Sequence, residues 1–214
     1  MPNDNVFTYS YKNEEYTITT TLIGSYNIYN ILAVIAVLTL IGISSEQIKK
    51  IIPTLNNPSG RLDIVKYNTN SIIIDYAHTP DAIENVLKTA KLITKGNIYT
   101  VFGCTGDRDR TKRPVMMKLV TDNSKYAVVT MDDPHTEDPM HIVDDMLEEN
   151  QNHNYIVIID RGKAIEKGIS LLEENDTLLI LGKGHEEFIL MGKSKIPFND
   201  KNKVIEILSS VEVK

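Results

Sequence analysis

Four short polar clusters carry most of the residues able to do chemistry: Asp75-Tyr76-Ala77-His78-Thr79-Pro80, Gly103-Cys104-Thr105-Gly106-Asp107-Arg108-Asp109-Arg110, Asp132-Asp133-Pro134-His135 and Gly182-Lys183-Gly184-His185-Glu186. The first joins an apolar run to a helix start, where free N–H groups and the positive dipole end favour phosphate or carboxylate. Asp75 there suits a ribose hydroxyl or a metal, and His78 a nucleotide. The second holds two glycines, which permit close backbone approach, and Arg forks that match carboxylate or phosphate. In the third, two acids can hold an ammonium beside a titratable imidazole. The fourth offers backbone amides for an anion and Glu186 for an amine. Together they point to a composite site for an anionic or zwitterionic ligand. Each also has a plainer explanation: a capped helix start, a loop of mutually paired Asp and Arg, a turn stopped by Pro134, a flexible Gly loop.

Other groups signal less. His78, His185 and the aspartates suggest a metal only loosely, and with no HExxH or paired-Cys spacing no metal site is expected. The spacing of a P-loop, Gly-x-x-x-x-Gly-Lys-[Ser/Thr], occurs nowhere in the chain. Cys104 lies near arginines able to lower its pKa, but the expected reading is a small loop residue and not a reactive thiol. His141 and His153 read as surface residues, and Asp160-Arg161 as an ion pair.

The elements that must position these clusters are legible. Phe7 to Ser10 and Tyr16 to Leu22 alternate apolar and polar residues, a hairpin pattern. Asn27 to Thr39 reads as a buried helix, apolar on nearly all sides. Ser45 is the expected N-cap of a helix from Glu46 to Ile52, stopped by Pro53. Asn56-Asn57-Pro58-Ser59-Gly60 is the best boundary signal, rich in turn formers. Beyond it, Leu62 to Tyr67 and Ser71 to Ile74 form a second hairpin. Ile98 to Phe102, Tyr126 to Met131, Tyr155 to Ile159 and Thr177 to Leu181 are continuous apolar runs, as in parallel strands covered on both faces. Helices are expected at Pro80 to Leu92, Pro114 to Thr121, Pro139 to Asn150, Lys163 to Leu171 and Val204 to Leu208. Thr79 and Asp138 precede prolines as N-cap and N1 pairs. The fold class is therefore α/β: a Rossmann-like, mostly parallel sheet with an N-terminal hairpin strand, preceded by a small hairpin-plus-helices piece. Residues 59–214 form the full α/β domain. Residues 1–58 are too few to hold a good core alone and look like the end of a larger domain.

The bulk composition is that of a globular protein: 214 residues, 42% hydrophobic and 24% charged. A net charge of −6 disfavours a general nucleic-acid binder. One cysteine excludes an internal disulfide framework and suggests a reducing compartment. Met1-Pro2-Asn3-Asp4-Asn5 lacks a basic stretch followed by an apolar one, so no targeting segment is expected. The run Ile31 to Ile43 is too short for a membrane span, which needs about 20 residues. The cytoplasm is the expected location, without a membrane or nucleic-acid partner, as a monomer.

Taken in order, the motifs resemble the Mur ligases of peptidoglycan synthesis, in the branch that adds the third residue to the stem peptide. Gly24 to Asn30, Gly60-Arg61, Asp75 to Pro80, Gly103 to Pro114, Asp132 to His135, Gly182 to Glu186 and Pro197-Phe198-Asn199-Asp200 carry the likeness. The resemblance implies an ATP-dependent amide ligase, with ATP and Mg²⁺ as cofactors and UDP-MurNAc-dipeptide and an amino acid as substrates. Residues 1–58 would be the C-terminal end of the central ATPase domain. The P-loop and most metal ligands would lie upstream, leaving this chain inactive alone. Asn27, Asn30, Arg61, Asp75, Tyr76 and His78 would contact ATP. Arg108, Asp132, Asp133, Pro134, His135, Gly182 and Glu186 would hold the incoming amino acid, and no catalytic residue is assigned to this chain. In relatives that use meso-diaminopimelate the turn ends in Arg. Here that position is His135, and Asp133 stands where Asn is usual, so L-lysine is expected instead. Two alternatives stay open: another ligase of the same fold, such as folylpolyglutamate synthase or cyanophycin synthetase, and a non-enzymatic amino-acid or muropeptide sensor.

Overall fold

The computed structural model describes residues 5–212; residues 1–4, read above for a targeting segment, lie outside the described residues. The chain divides into two compact units, Met1–Pro58 and Ser59–Lys214.

In the first unit, strands β1 (Asn5–Tyr11) and β2 (Glu14–Thr20) pair antiparallel. Lys12 and Asn13 take φ of 50° and 65° between them, the left-handed pair that a two-residue hairpin needs. Helix α1 (Ser25–Leu40) and helix α2 (Ser45–Ile51) follow, then a 3-10 turn at Ile52–Thr54. Ser44, not Ser45, caps α2. Its side chain accepts from Gln47 N, and the Gln47 side chain accepts from Ser44 N, a capping box. Ile18, Ile31, Ile35, Ile48 and Ile52 form a small core. The expectation of a buried α1 fails on one side: Tyr29, Val37 and Leu40 are exposed, because this unit has too few residues to cover an all-apolar helix.

The second unit is built on a six-stranded sheet in the order β3-β4-β8-β5-β6-β7. The strands are β3 (Asp63–Tyr67), β4 (Asn70–Asp75), β5 (Ile98–Phe102), β6 (Tyr126–Val129), β7 (Tyr155–Val157) and β8 (Thr177–Leu181). Only β3 runs antiparallel; all other neighbours are parallel. Helices α3 (Pro80–Ile93), α4 (Lys112–Asn123) and α5 (Pro139–Leu147) pack in series, and α6 (Arg161–Ser170) packs on α7 (Asp200–Glu212). Thr79 and Asp138 cap α3 and α5 as expected. Ile72, Ile74, Val101, Val128, Leu178 and Ile180 meet Ile165, Val204 and Ile207 in one core. The central strands β5 and β8 are buried at every position, which explains their unbroken apolar runs.

A third hairpin was not foreseen: β9 (Phe188–Met191) with β10 (Ser194–Pro197). Its residues are mostly exposed, and so lack the apolar periodicity that marks a strand. The chain leaves β4, passes over the place of β8, and inserts β8 last between β4 and β5. The C-terminal ends of β4, β8, β5 and β6 thus stand side by side. Ligands of open α/β sheets bind at such a crossover. No described helix is long and apolar enough to cross a membrane.

Candidate functional site

The four polar clusters follow those four adjacent strand ends. Tyr76, His78, Thr105, Arg108, Asp132, Asp133, His135, Gly182, Glu186 and Leu190 line one cleft of about 170 Å³. Eight of the thirteen residues singled out from the sequence are therefore among its walls. Pro134 is buried behind it.

The loops that carry them are laced together. Gly106 N donates to Asp133 O at 2.8 Å. Asp107, with φ of 53°, accepts from Thr136 Oγ1 at 2.7 Å. His135 also takes a left-handed φ of 50°, held by the unforeseen hairpin: His135 N donates to Leu190 O at 2.9 Å, and Gly192 N donates to His135 O at 2.5 Å. The place of the His135 side chain is thus set by β9.

The cations of the Gly103–Arg113 segment separate by role. Arg113 is buried and bonds Glu137 and Asp145. Arg110 forks onto Asp145 through Nε at 2.7 Å and Nη2 at 2.6 Å. Lys112 pairs with Asp109 at 3.4 Å. Arg108 is exposed and makes no ion pair among the described residues, so its fork remains open to a ligand carboxylate. The Arg113 guanidinium beside Glu137 holds that carboxyl down at about 2.

The acidic wall is different from the one expected. Asp133 Oδ1 already accepts from Lys183 Nζ at 2.8 Å and from Leu190 N at 2.9 Å. The ammonium it holds is the chain's own. Lys183 also bonds Glu186 Oε2 at 2.8 Å and lies 3.7 Å from Asp132 Oδ1. Burial pushes Asp132 up to about 6 despite the opposing pull of Arg161 and Lys183. Asp132, Asp133 and Glu186 form the one carboxylate group with metal-like spacing among the described residues. The Lys183 ammonium sits against all three, so this position does not fit Mg²⁺.

On the other side of the cleft the Arg61 guanidinium lies 4.6 Å from the Tyr76 ring centroid. Tyr76 also contacts His78 and His185, with centroids 4.6 and 5.4 Å apart. His78 Nδ1 lies 2.7 Å from Tyr76 O. Asp75 is buried beneath this shelf, accepting from Leu62 N and Ala77 N, each at 2.8 Å. Burial raises its pKa against those two donors. Asp75 acts here as a brace for the backbone at Leu62 and Ala77, the residues that follow Arg61 and Tyr76. In the first unit, Asn30 Nδ2 donates to Asn27 Oδ1 at 3.2 Å, and Asn27 Nδ2 donates to Ile23 O and Asn57 Oδ1.

One expectation is corrected, and two further residues are clarified. Arg161 does not pair with Asp160, whose side chain caps α6 by accepting from Lys163 N. Arg161 is fully buried and forks onto Asp200, with Nε and Nη2 each at 2.8 Å. It also donates to Leu181 O at 2.9 Å and Met131 O at 3.2 Å. These carbonyls immediately precede Gly182 and Asp132, so one guanidinium ties both loops. A reactive Cys104 is excluded, because burial pushes its thiol far up. Lys183 escaped notice since a lysine between glycines looks solvated; the signal was its spacing three residues before Glu186.

Comparison with known proteins agrees with this geometry. A family described as "Mur ligase, glutamate ligase domain" matches residues 60–184. A UDP-N-acetylmuramoyl-L-alanyl-D-glutamate–2,6-diaminopimelate ligase of Clostridium botulinum is 42% identical over 204 residues, 94% of this chain and 42% of that protein. A ligase of the same description from Bacillus cereus is 43% identical over 92% of this chain and 40% of its own length. A solved structure of a ligase so described superposes with a TM-score of 0.72 at 31% identity, covering 97% of this chain and 43% of that one. The chain thus spans about two fifths of the length of these relatives. With its Rossmann-like sheet and motif-bearing strand ends, the chain belongs to the Mur ligase family.

Proposed function

We propose that this chain is the C-terminal portion of an ATP-dependent amide ligase of the cytoplasm that adds the third amino acid to UDP-N-acetylmuramoyl-L-alanyl-D-glutamate. The observation that carries it is one cleft with an unpaired Arg108 fork and a wall of Asp132, Asp133 and Glu186. Such a cleft suits a zwitterion with its carboxylate on Arg108 and an amino group toward Glu186. Glu186 Oε1 has no partner among the described residues. In the reaction, ATP converts the D-Glu side-chain carboxylate into an acyl phosphate and ADP leaves. The amine attacks that carbonyl, the tetrahedral centre collapses, and phosphate departs as the amide forms. This chain's part is to orient the amine and, through the Arg61–Tyr76–His78 shelf, to take up part of ATP. Asn27 and Asn30 join the ATP contacts from residues 1–58, the end of the central domain in this reading. Mg²⁺ would be held by residues upstream of this chain.

The proposed amino acid is L-lysine. The relatives are named for diaminopimelate, and there the resemblance places an Arg at the position of His135. An imidazole offers no planar fork of donors for a distal carboxylate. Asp133 no longer supports this choice directly, being held by Lys183. Charge does: with all groups ionised, Asp132, Asp133, Glu186, Lys183 and Arg108 carry one net negative charge. Lysine carries one net positive charge and diaminopimelate none. The test is turnover of UDP-MurNAc-dipeptide by the full-length ligase with each amino acid. Faster turnover with L-lysine is expected; faster turnover with meso-diaminopimelate overturns the choice, and no ligation with either overturns the function.

A further inference from the structure

One buried charge in the second unit plays no part in binding as described so far. Lys183 is 0% exposed and does not itself line the cleft. It stands behind the wall, bonded to Asp133 and Glu186 at 2.8 Å and 3.7 Å from Asp132. A lysine is rarely buried this fully, and then only when paired. The backbone is bent to put it there. Gly182 and Gly184 flank it at φ of 112° and 53°, a region that other residues rarely enter. A Cβ on Gly182 would fall on the Asp132 carboxylate, and one on Gly184 would stand 2.7 Å from Gly60 O.

The three carboxylates set ligand atoms within 4.8 Å of one another. Without an internal cation, such a cluster of oxygens is what a hard divalent ion takes. Asp132 also feels Arg161, but that guanidinium is committed to Asp200. Tyr76 faces the group as a neutral phenol, and Arg61 covers its ring. Lys183 is therefore the cation that decides what the wall accepts.

We propose that Lys183 makes the cleft select an ammonium group over a metal ion, by aiming Asp133 and Glu186 and offsetting one of the three carboxylate charges. This rests on reading the cleft as the amino-acid subsite. With Arg108 also counted, one net negative charge survives in the cleft and suits a monovalent donor with directional N–H bonds, and a divalent ion meets a positive charge already seated among its ligands.

The test compares the chain with its Lys183→Met variant by amide NMR, titrating MnCl2 and L-lysine separately and together. In the native chain L-lysine shifts the amides of residues 132, 133, 135 and 182–190, and Mn²⁺ does not broaden them. In the variant Mn²⁺ broadens those residues, with affinity at least about tenfold above the native chain, and competes with L-lysine. A Lys183→Gln variant, which keeps donors and loses the charge, gives the same gain if the Met variant does not fold. A folded variant that binds no more Mn²⁺ than the native chain overturns the proposal. A native chain blind to every amino acid, with Mn²⁺ binding gained in the variant, leaves Lys183 as the charge-setting residue and overturns the acceptor reading alone.

Discussion

At the scale of single residues, the cleft depends on which charges are free. Arg108 makes no ion pair among the described residues, while Arg110, Lys112 and Arg113 are committed to Asp145, Asp109 and Glu137. Arg108→Ala is expected to weaken amino-acid binding about tenfold to a hundredfold, the loss of one charge-assisted fork, with an unchanged melting temperature. Isothermal titration with L-lysine measures it. Asp132, at about 6, makes binding of a cationic amino acid fall as pH drops through that value, because protonation removes the cleft's net negative charge. The same shift acts on stability with a definite sign. The folded state holds this proton more tightly than the unfolded chain, so the Asp132 contribution worsens as pH rises from 3.8 to about 6. Asp132→Asn is expected to melt higher than the native chain above pH 6. That gap should close below pH 3.8, where both carry a neutral group, and melting curves across pH decide it. Cys104 is expected to resist iodoacetamide in the folded chain, as a buried thiol holds its proton.

At the scale of elements, the crossover places four loops together, and Arg161 with Asp200 pins two of them. Removing one partner of a buried pair leaves an uncompensated charge, so Asp200→Leu is expected to lose about 3–5 kcal/mol. Asp200→Asn, which keeps an acceptor for the guanidinium, should lose less. Urea denaturation gives both values. Amide shifts at 131–135 and 181–186 should move together in the Asn variant if one guanidinium sets both loops. The β9–β10 hairpin matters in the same way: it holds His135 in its left-handed turn through Leu190 and Gly192.

At the scale of the whole molecule, the chain covers about two fifths of its relatives and contains no P-loop spacing. The expected outcome is no ATP hydrolysis by this chain alone. Ligation restored by adding the remaining domains in trans would exclude a pure sensor, and ATP hydrolysis by the isolated chain would contradict the division of roles proposed here. The exposed apolar side of α1, with Leu40 83% exposed, makes aggregation of residues 1–58 in isolation the expected result.

What the amino-acid order determined by itself was local: burial on both faces makes β5 and β8 unbroken apolar runs, and Thr79 and Asp138 announce their helices because caps act over three residues. The four polar clusters were legible for the same reason, each being a contiguous string after a strand. Their convergence on one site was legible from strands alternating with helices, whereas the sheet order that inserts β8 between β4 and β5 is written in no single segment. The partners of the charged groups were out of reach. Asp160 beside Arg161 suggested a pair, yet the guanidinium reaches Asp200, 39 residues away. Lys183, given no role in the sequence, lies wholly buried and takes the carboxylate that seemed free for a ligand. Charge pairing in a low-dielectric interior is decided by which groups the fold brings within about 3 Å, and only the tertiary structure sets that distance.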